Sequence, residues 1–156
     1  EAVVPASRRE ELHALAAELT RMDPMDVEAR YVETFDRGRA TSLHMFEHIH
    51  GDSRERGPAM VDLVQTYEKS GLLLAPEELP DHLCVVLEFA STQPPKLAIE
   101  FMNEMAHILT AVFSALLQRG SPYAAPVAAV LEWKMRPSRA ASWYLPCFAT
   151  TSCAAM

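Results

Sequence analysis

The chain has 156 residues, with 14 lysines and arginines against 21 aspartates and glutamates, a formal net charge of −7. That balance excludes nucleic acid as the main partner, because phosphate contacts need a basic face, and favours a basic polypeptide instead. With 49% hydrophobic and 22% charged residues and no apolar run of about 18 residues, it reads as one soluble domain without stable membrane insertion. Cys84, Cys147 and Cys153 form no CxxC pair, so neither a disulfide framework nor a structural zinc site is signalled. No charged-then-apolar leader follows Glu1, and the expected setting is reducing and cytoplasmic.

Taken in chain order, Ser7 and Glu10 predict a capping box, and Leu12, Leu15, Leu19 and Met22 give the first helix one buried face. Asp23-Pro24 ends it and opens the next, with Asp23 as cap and Pro24 at the first helical position. That second helix is expected to reach about Phe35 with Met25, Val32 and Phe35 inward, its early acids Asp26 and Glu28 complementing the helix dipole. Thr41 or Ser42 caps a third helix carrying Leu43, Phe46 and Ile49 on one side. Gly51 and Gly57-Pro58 predict a break before the face made by Met60, Leu63, Val64 and Tyr67, and Gly71 closes that segment in a left-handed conformation.

Leu72 to Pro80 is a connector, after which Asp81 caps a short helix with Leu83, Val86 and Leu87 inside, stopped by Pro94-Pro95. One long helix is expected to carry Phe101, Met105, Ile108, Leu109, Val112 and Leu116 in a single stripe ending at Gly120. Pro126 opens a last helix, through Val127, Val130 and Leu131 to about Met135. No segment alternates as a strand does, so the fold class is all-α: a single-domain helical bundle over 1–136 with an atypical tail over 137–156. The tail's Trp143, Tyr144 and Phe148 must dock on the bundle, pair with a second copy in a homodimer, or aggregate.

Tyr31 to Gly71 carries aromatic, acidic, basic and histidine side chains at a density that a plain scaffold does not need. His44, Glu47 and His48 form an HxxEH string, which on a helix places two histidines on one face for zinc with the glutamate as general base. A zinc hydrolase of that kind needs a third ligand, and Glu104 and Glu132 are the isolated downstream acids available to it. Arg37, Arg39, Arg54 and Arg56 match phosphate in geometry, but GDSRERG lacks the Lys-Ser/Thr of a phosphate-binding loop. Pairing with Asp36, Asp52 and Glu55 is the plainer reading of these arginines. The methionines, notably Met102 and Met105, read as core filling.

Met22-Asp23-Pro24, the run YVETFDRGRATSL from Tyr31 to Leu43, FEHIHGDSRERG from Phe46 to Gly57, AMVDL from Ala59 to Leu63 and ELPDHL from Glu78 to Leu83 closely resemble the NarJ family. These are the delta-subunit assembly chaperones of respiratory nitrate reductase, within the TorD-like redox-enzyme maturation chaperones. The likeness covers roughly Leu12 to Leu117 and ends before the tail. It implies an all-helical cytoplasmic, TorD-like chaperone with no catalytic activity and no cofactor of its own. Its implied partner is the apo catalytic (alpha) subunit of nitrate reductase, recognised at its N-terminal segment and kept from membrane docking until the molybdenum cofactor and iron–sulfur centre are in place.

Two peptide-binding motifs of the wider family map by resemblance onto Tyr31 to Phe35, with Thr34 in place of a leucine, and onto Glu78 to His82, with Leu79 intervening. The expected peptide-binding residues are therefore Tyr31, Phe35, Asp36, Arg37, Arg39, His48, Asp52, Arg54, Arg56, Glu78, Asp81 and His82. In this scheme the client's apolar side chains enter a groove between helices and its basic residues meet acids of this chain.

Overall fold

The structure is a computed structural model that describes residues 4–134. The tail at 137–156, with its aromatic residues and two of the cysteines, lies outside the described residues, as does the boundary at 136. Among the described residues the chain is all helical, with eight α-helices and one isolated antiparallel bridge between His44 and His82.

Helix α1 spans Ala6–Arg21. The expected capping box does not form: Pro5, held extended at φ −54° and ψ 151°, is the N-cap, and Ser7 falls inside the first turn. Of its apolar face only Leu15 is buried, and two ion pairs fasten the helix: Arg8 to Glu132 at 2.8 Å and Glu18 to Arg30 at 2.5 Å. Helix α2 spans Pro24–Tyr31 and opens as the sequence predicts, with Asp23 Oδ1 accepting the Met25 N–H at 2.9 Å and Pro24 at the first position. Met25 is not inward but 72% exposed, because the whole first turn lies on the solvent side. The chain then widens into a π-helical turn, Val32–Asp36, closed by the Arg37 N–H on the Val32 carbonyl. This inserted register turns Phe35 into the core, edge-on to Tyr123 at 5.0 Å.

Gly38 leads into a 3-10 turn, Arg39–Thr41, so Thr41 ends a turn rather than capping a helix. Helix α3 is one turn and a half, Met45–Ile49, with His44 as its N-cap. Its buried residue is Met45, while Ile49 is half-exposed, the reverse of the expected face. Helix α4, Arg56–Lys69, runs unbroken through Gly57-Pro58 because the proline sits in the first turn, where its missing N–H has no helical partner to lose. The expected break falls earlier, at Gly51, whose φ is +51°. Leu63 and Tyr67 are buried on α4, and Gly71 at φ +82° completes a Schellman close, its N–H on Glu68 and that of Leu72 on Tyr67.

Helix α5 spans Leu83–Thr92, α6 Pro95–Glu104, α7 Ala106–Gln118 and α8 Ala124–Lys134. The expected long helix is two: α6 and α7 meet at Met105, a residue 6% exposed, which ends one and caps the other. The apolar period continues through the joint, so Met102, Ile108, Leu109, Val112 and Leu116 still share one core with Phe35, Met45 and Val86. A second cluster, Leu63, Tyr67 and Phe89, ties α4 to α5 through a ring contact of 4.7 Å.

Candidate functional site: the face around a buried aspartate

Asp81 is fully buried, and the residues gathered around it organise the region singled out by the sequence. It does not cap the helix that follows it. His82 takes that role, its ring Nδ1 accepting the Cys84 N–H at 3.3 Å, while Asp81 caps α3 from across the fold by accepting the Phe46 N–H on Oδ2 at 3.1 Å. The backbone explains this: the Met45 N–H meets the Asp81 carbonyl at 2.9 Å and the Leu83 N–H meets the Leu43 carbonyl at 2.8 Å. This short ladder turns the Asp81 side chain toward the α3 N-terminus, where positive partial charge favours a carboxylate. His44 Nδ1 stands 3.4 Å and Arg56 3.7 Å from the same carboxylate. The Tyr67 hydroxyl donates to the Pro80 carbonyl at 2.7 Å beneath it, and burial pushes that phenol's pKa well up.

The C-terminal end of α3 is held as firmly. Arg39 donates from Nε and Nη2 to the Glu47 carbonyl at 3.1 and 2.8 Å, and the His48 ring donates from Nε2 to the Ser42 carbonyl at 2.9 Å. The arginines therefore do not take the expected partners Asp36, Asp52 and Glu55. Arg37 pairs with Glu33 at 3.1 Å, Arg39 grips a carbonyl and Arg56 faces Asp81, because the turn at Gly51 points each toward a nearer acceptor. Asp52 and Arg54 are exposed on that turn.

HxxEH is not arranged as a metal site. His44 lies before α3 rather than on it, His48 faces Ser42, Glu47 accepts from the Ser42 hydroxyl and Glu132 holds Arg8. Among the described residues no group of three or more histidines, cysteines or acids is placed to hold a metal ion.

The two motif stretches converge on one face. Tyr31, 37% exposed, rests its ring 4.9 Å from Phe35; burial raises its phenol pKa, with nearby Cys84 and Asp36 adding to the effect. The pKa of His82 is lowered by burial first and by His44 next, against the pull of Asp81, Asp36 and Glu78. Tyr31, Asp36, Glu78 and His82 thus lie around one patch, with the exposed Cys84 and the half-exposed Leu79 beside them. Cys84 and Leu79 were missed by sequence reasoning; both flank the His82 cap and lacked any charge or motif signal. Phe35 supports the patch from the core, and Asp81 has no surface to offer a docking peptide. No residue of the patch lines either of the two larger grooves of the molecule.

An all-helical bundle with a short helix pinned at both ends beside an aromatic and acidic patch has the architecture of a binding protein. The family model described as nitrate reductase delta subunit matches residues 1–129, and the chain belongs to that family. It is 51% identical over 119 residues to the nitrate reductase molybdenum cofactor assembly chaperone NarJ of Escherichia coli (strain K12), covering 74% of this chain and 50% of that protein. To the probable nitrate reductase molybdenum cofactor assembly chaperone NarW of the same strain it is 47% identical over 108 residues, 69% of this chain and 47% of the relative. To the nitrate reductase-like protein NarX of Mycobacterium tuberculosis it is 42% identical over 115 residues, 73% of this chain and 18% of the relative. The chain spans about half the length of the Escherichia coli relatives it matches.

Proposed function

We propose that this chain is a system-specific molecular chaperone for respiratory nitrate reductase. It binds the apo catalytic subunit at its N-terminal segment and assists molybdenum cofactor insertion and assembly before membrane docking, in the cytoplasm. The observation that carries the reading is the 51% identity to a molybdenum cofactor assembly chaperone over 119 residues. The convergence of Tyr31, Asp36, Glu78 and His82 supports it. The client's apolar side chains pack on Tyr31 and Leu79, and its basic residues meet Asp36 and Glu78. Arg39, His48, Arg56 and Asp81 act from beneath by fixing α3 and the connecting turns, not by touching the client.

No step of this activity makes or breaks a covalent bond; its energy comes from burial and charge complementarity. Size-exclusion of this chain mixed with the apo catalytic subunit tests it. A stable complex is expected with the intact subunit and none once its N-terminal segment is removed. Equal complex formation by both forms contradicts recognition of that segment, and no complex with either contradicts the chaperone reading itself.

A further inference from the structure

Between α4 and α6 lies an open groove of about 600 Å³, remote in its lining from the patch above. Its floor is apolar: Phe46, Leu63, Phe89, Leu97, Phe101 and Met105. Its banks are acidic, with Asp62 on α4 and Glu100 and Glu104 on α6, all three exposed, and no lysine, arginine or histidine lines it. The nearest cation known to touch these acids is Lys96, 4.0 Å from Glu100 and 87% exposed at the rim. Leu97 stands 51% exposed, an apolar side chain left uncovered above an aromatic floor.

We propose that this groove is a second docking surface, distinct from the Tyr31 patch, and that its occupant is a basic amphipathic helix of a partner polypeptide. Charge complementarity selects the sign: carboxylates on both banks repel an acidic segment and attract lysine or arginine flanking an apolar stripe. The absence of any sheet among the described residues selects the conformation, since no strand edge is offered for main-chain pairing. A helix satisfies its own backbone bonds and lays apolar side chains at i, i+3, i+4 and i+7 on a floor of this kind. The ten residues of α6 make a bank about 15 Å long, room for three turns. This proposal does not depend on the identity of the client at the Tyr31 patch.

The test uses the intact chain and two synthetic helical peptides that share a leucine stripe, one otherwise lysine and one otherwise glutamate. Fluorescence anisotropy is expected to show saturable binding of the lysine peptide alone. The variant Leu97→Asp and the triple variant Asp62→Asn, Glu100→Gln, Glu104→Gln should each weaken it at least about tenfold, the triple variant also flattening its salt dependence. A charge-matched triple variant away from the groove, Glu10→Gln, Asp26→Asn, Glu28→Gln, should leave affinity unchanged, and melting curves establish that all variants fold. Equal loss in both triple variants shows a response to net charge only and overturns the proposal. Absence of binding overturns it as well, as does a doubled sedimentation mass that Leu97→Asp returns to the monomer, which makes the groove an interface between copies.

Discussion

Asp81 shows how one side chain decides a local fold. A fully buried carboxylate is stable only when donors surround it, and here the Phe46 N–H, His44 and Arg56 do so. Its replacement by alanine leaves the α3 N-terminus and Arg56 without their shared acceptor. The expected loss is about 2–3 kcal/mol, the range for a hydrogen bond to a charged group, against about 1 kcal/mol for an ordinary exposed cap. Asp81→Asn keeps an acceptor for the Phe46 N–H and should recover part of that loss; urea denaturation of the two variants measures both.

His82 adds a pH dependence. Its ring accepts a hydrogen bond from the Cys84 N–H, which only the neutral form can do, and its pKa is lowered from 6.5 in the fold. Stability from this cap is therefore fully present above the unfolded value and is lost as pH falls through the folded one. Melting temperature should drop between about pH 7 and 5 more steeply in the wild type than in His82→Asn, whose amide caps at every pH.

At the scale of elements, what was legible and what was not follow from the range of each signal. Asp23-Pro24 and Gly71 act on their own turn, and the structure places the helix start and the Schellman close where the sequence puts them. The break at Met105 carries no proline or glycine, and the apolar period runs through it undisturbed, so one helix and two read alike. Asp81 resembles a cap for α5 because capping is usually local; its real partner, Phe46, is 35 residues away and is brought near by the His44–His82 bridge. The candidate patch was legible as residue types, through Tyr31, Asp36, Glu78 and His82, but the division between exposed and supporting residues depends on packing that no short pattern records.

Helix α3 has only five residues, too short to stand alone, and depends on its fastenings. Gly51 is part of them: its φ is +51°, and a Cβ there would lie 2.2 Å from Arg39 Nη2, forcing the guanidinium off the Glu47 carbonyl. Gly71 has φ +82° with nothing within 4 Å of such a Cβ. Gly71→Ala should cost about 1–2 kcal/mol from backbone strain alone. Gly51→Ala should cost about 1 kcal/mol more through the displaced Arg39 fork. Chemical denaturation of both variants, with Arg39→Ala as reference, checks the order; equal losses would mean that the fork contributes nothing.

For the whole molecule, the same acidic balance that excluded nucleic acid governs how a partner is met. No described helix is long and apolar enough to cross a membrane, and the net charge of −7 is expressed at exposed carboxylates on the Tyr31 patch and along the α4–α6 groove. The ion pairs between α1 and α8 and between α1 and α2 hold the outer helix in place, while the two apolar clusters carry the bundle's stability. Binding to a basic segment should therefore weaken as salt shortens the range of these charges, which is about 8 Å at physiological ionic strength.

The most direct measurement is calorimetric titration of the intact chain with a synthetic peptide of the N-terminal segment of the nitrate reductase catalytic subunit, at low and high salt. The account predicts saturable one-to-one binding that weakens with salt. It also predicts a loss of about tenfold or more in a Tyr31→Ala, Asp36→Asn, Glu78→Gln variant that melts like the wild type. A peptide that does not bind, or that binds this variant as tightly as the wild type at both salt concentrations, would contradict it.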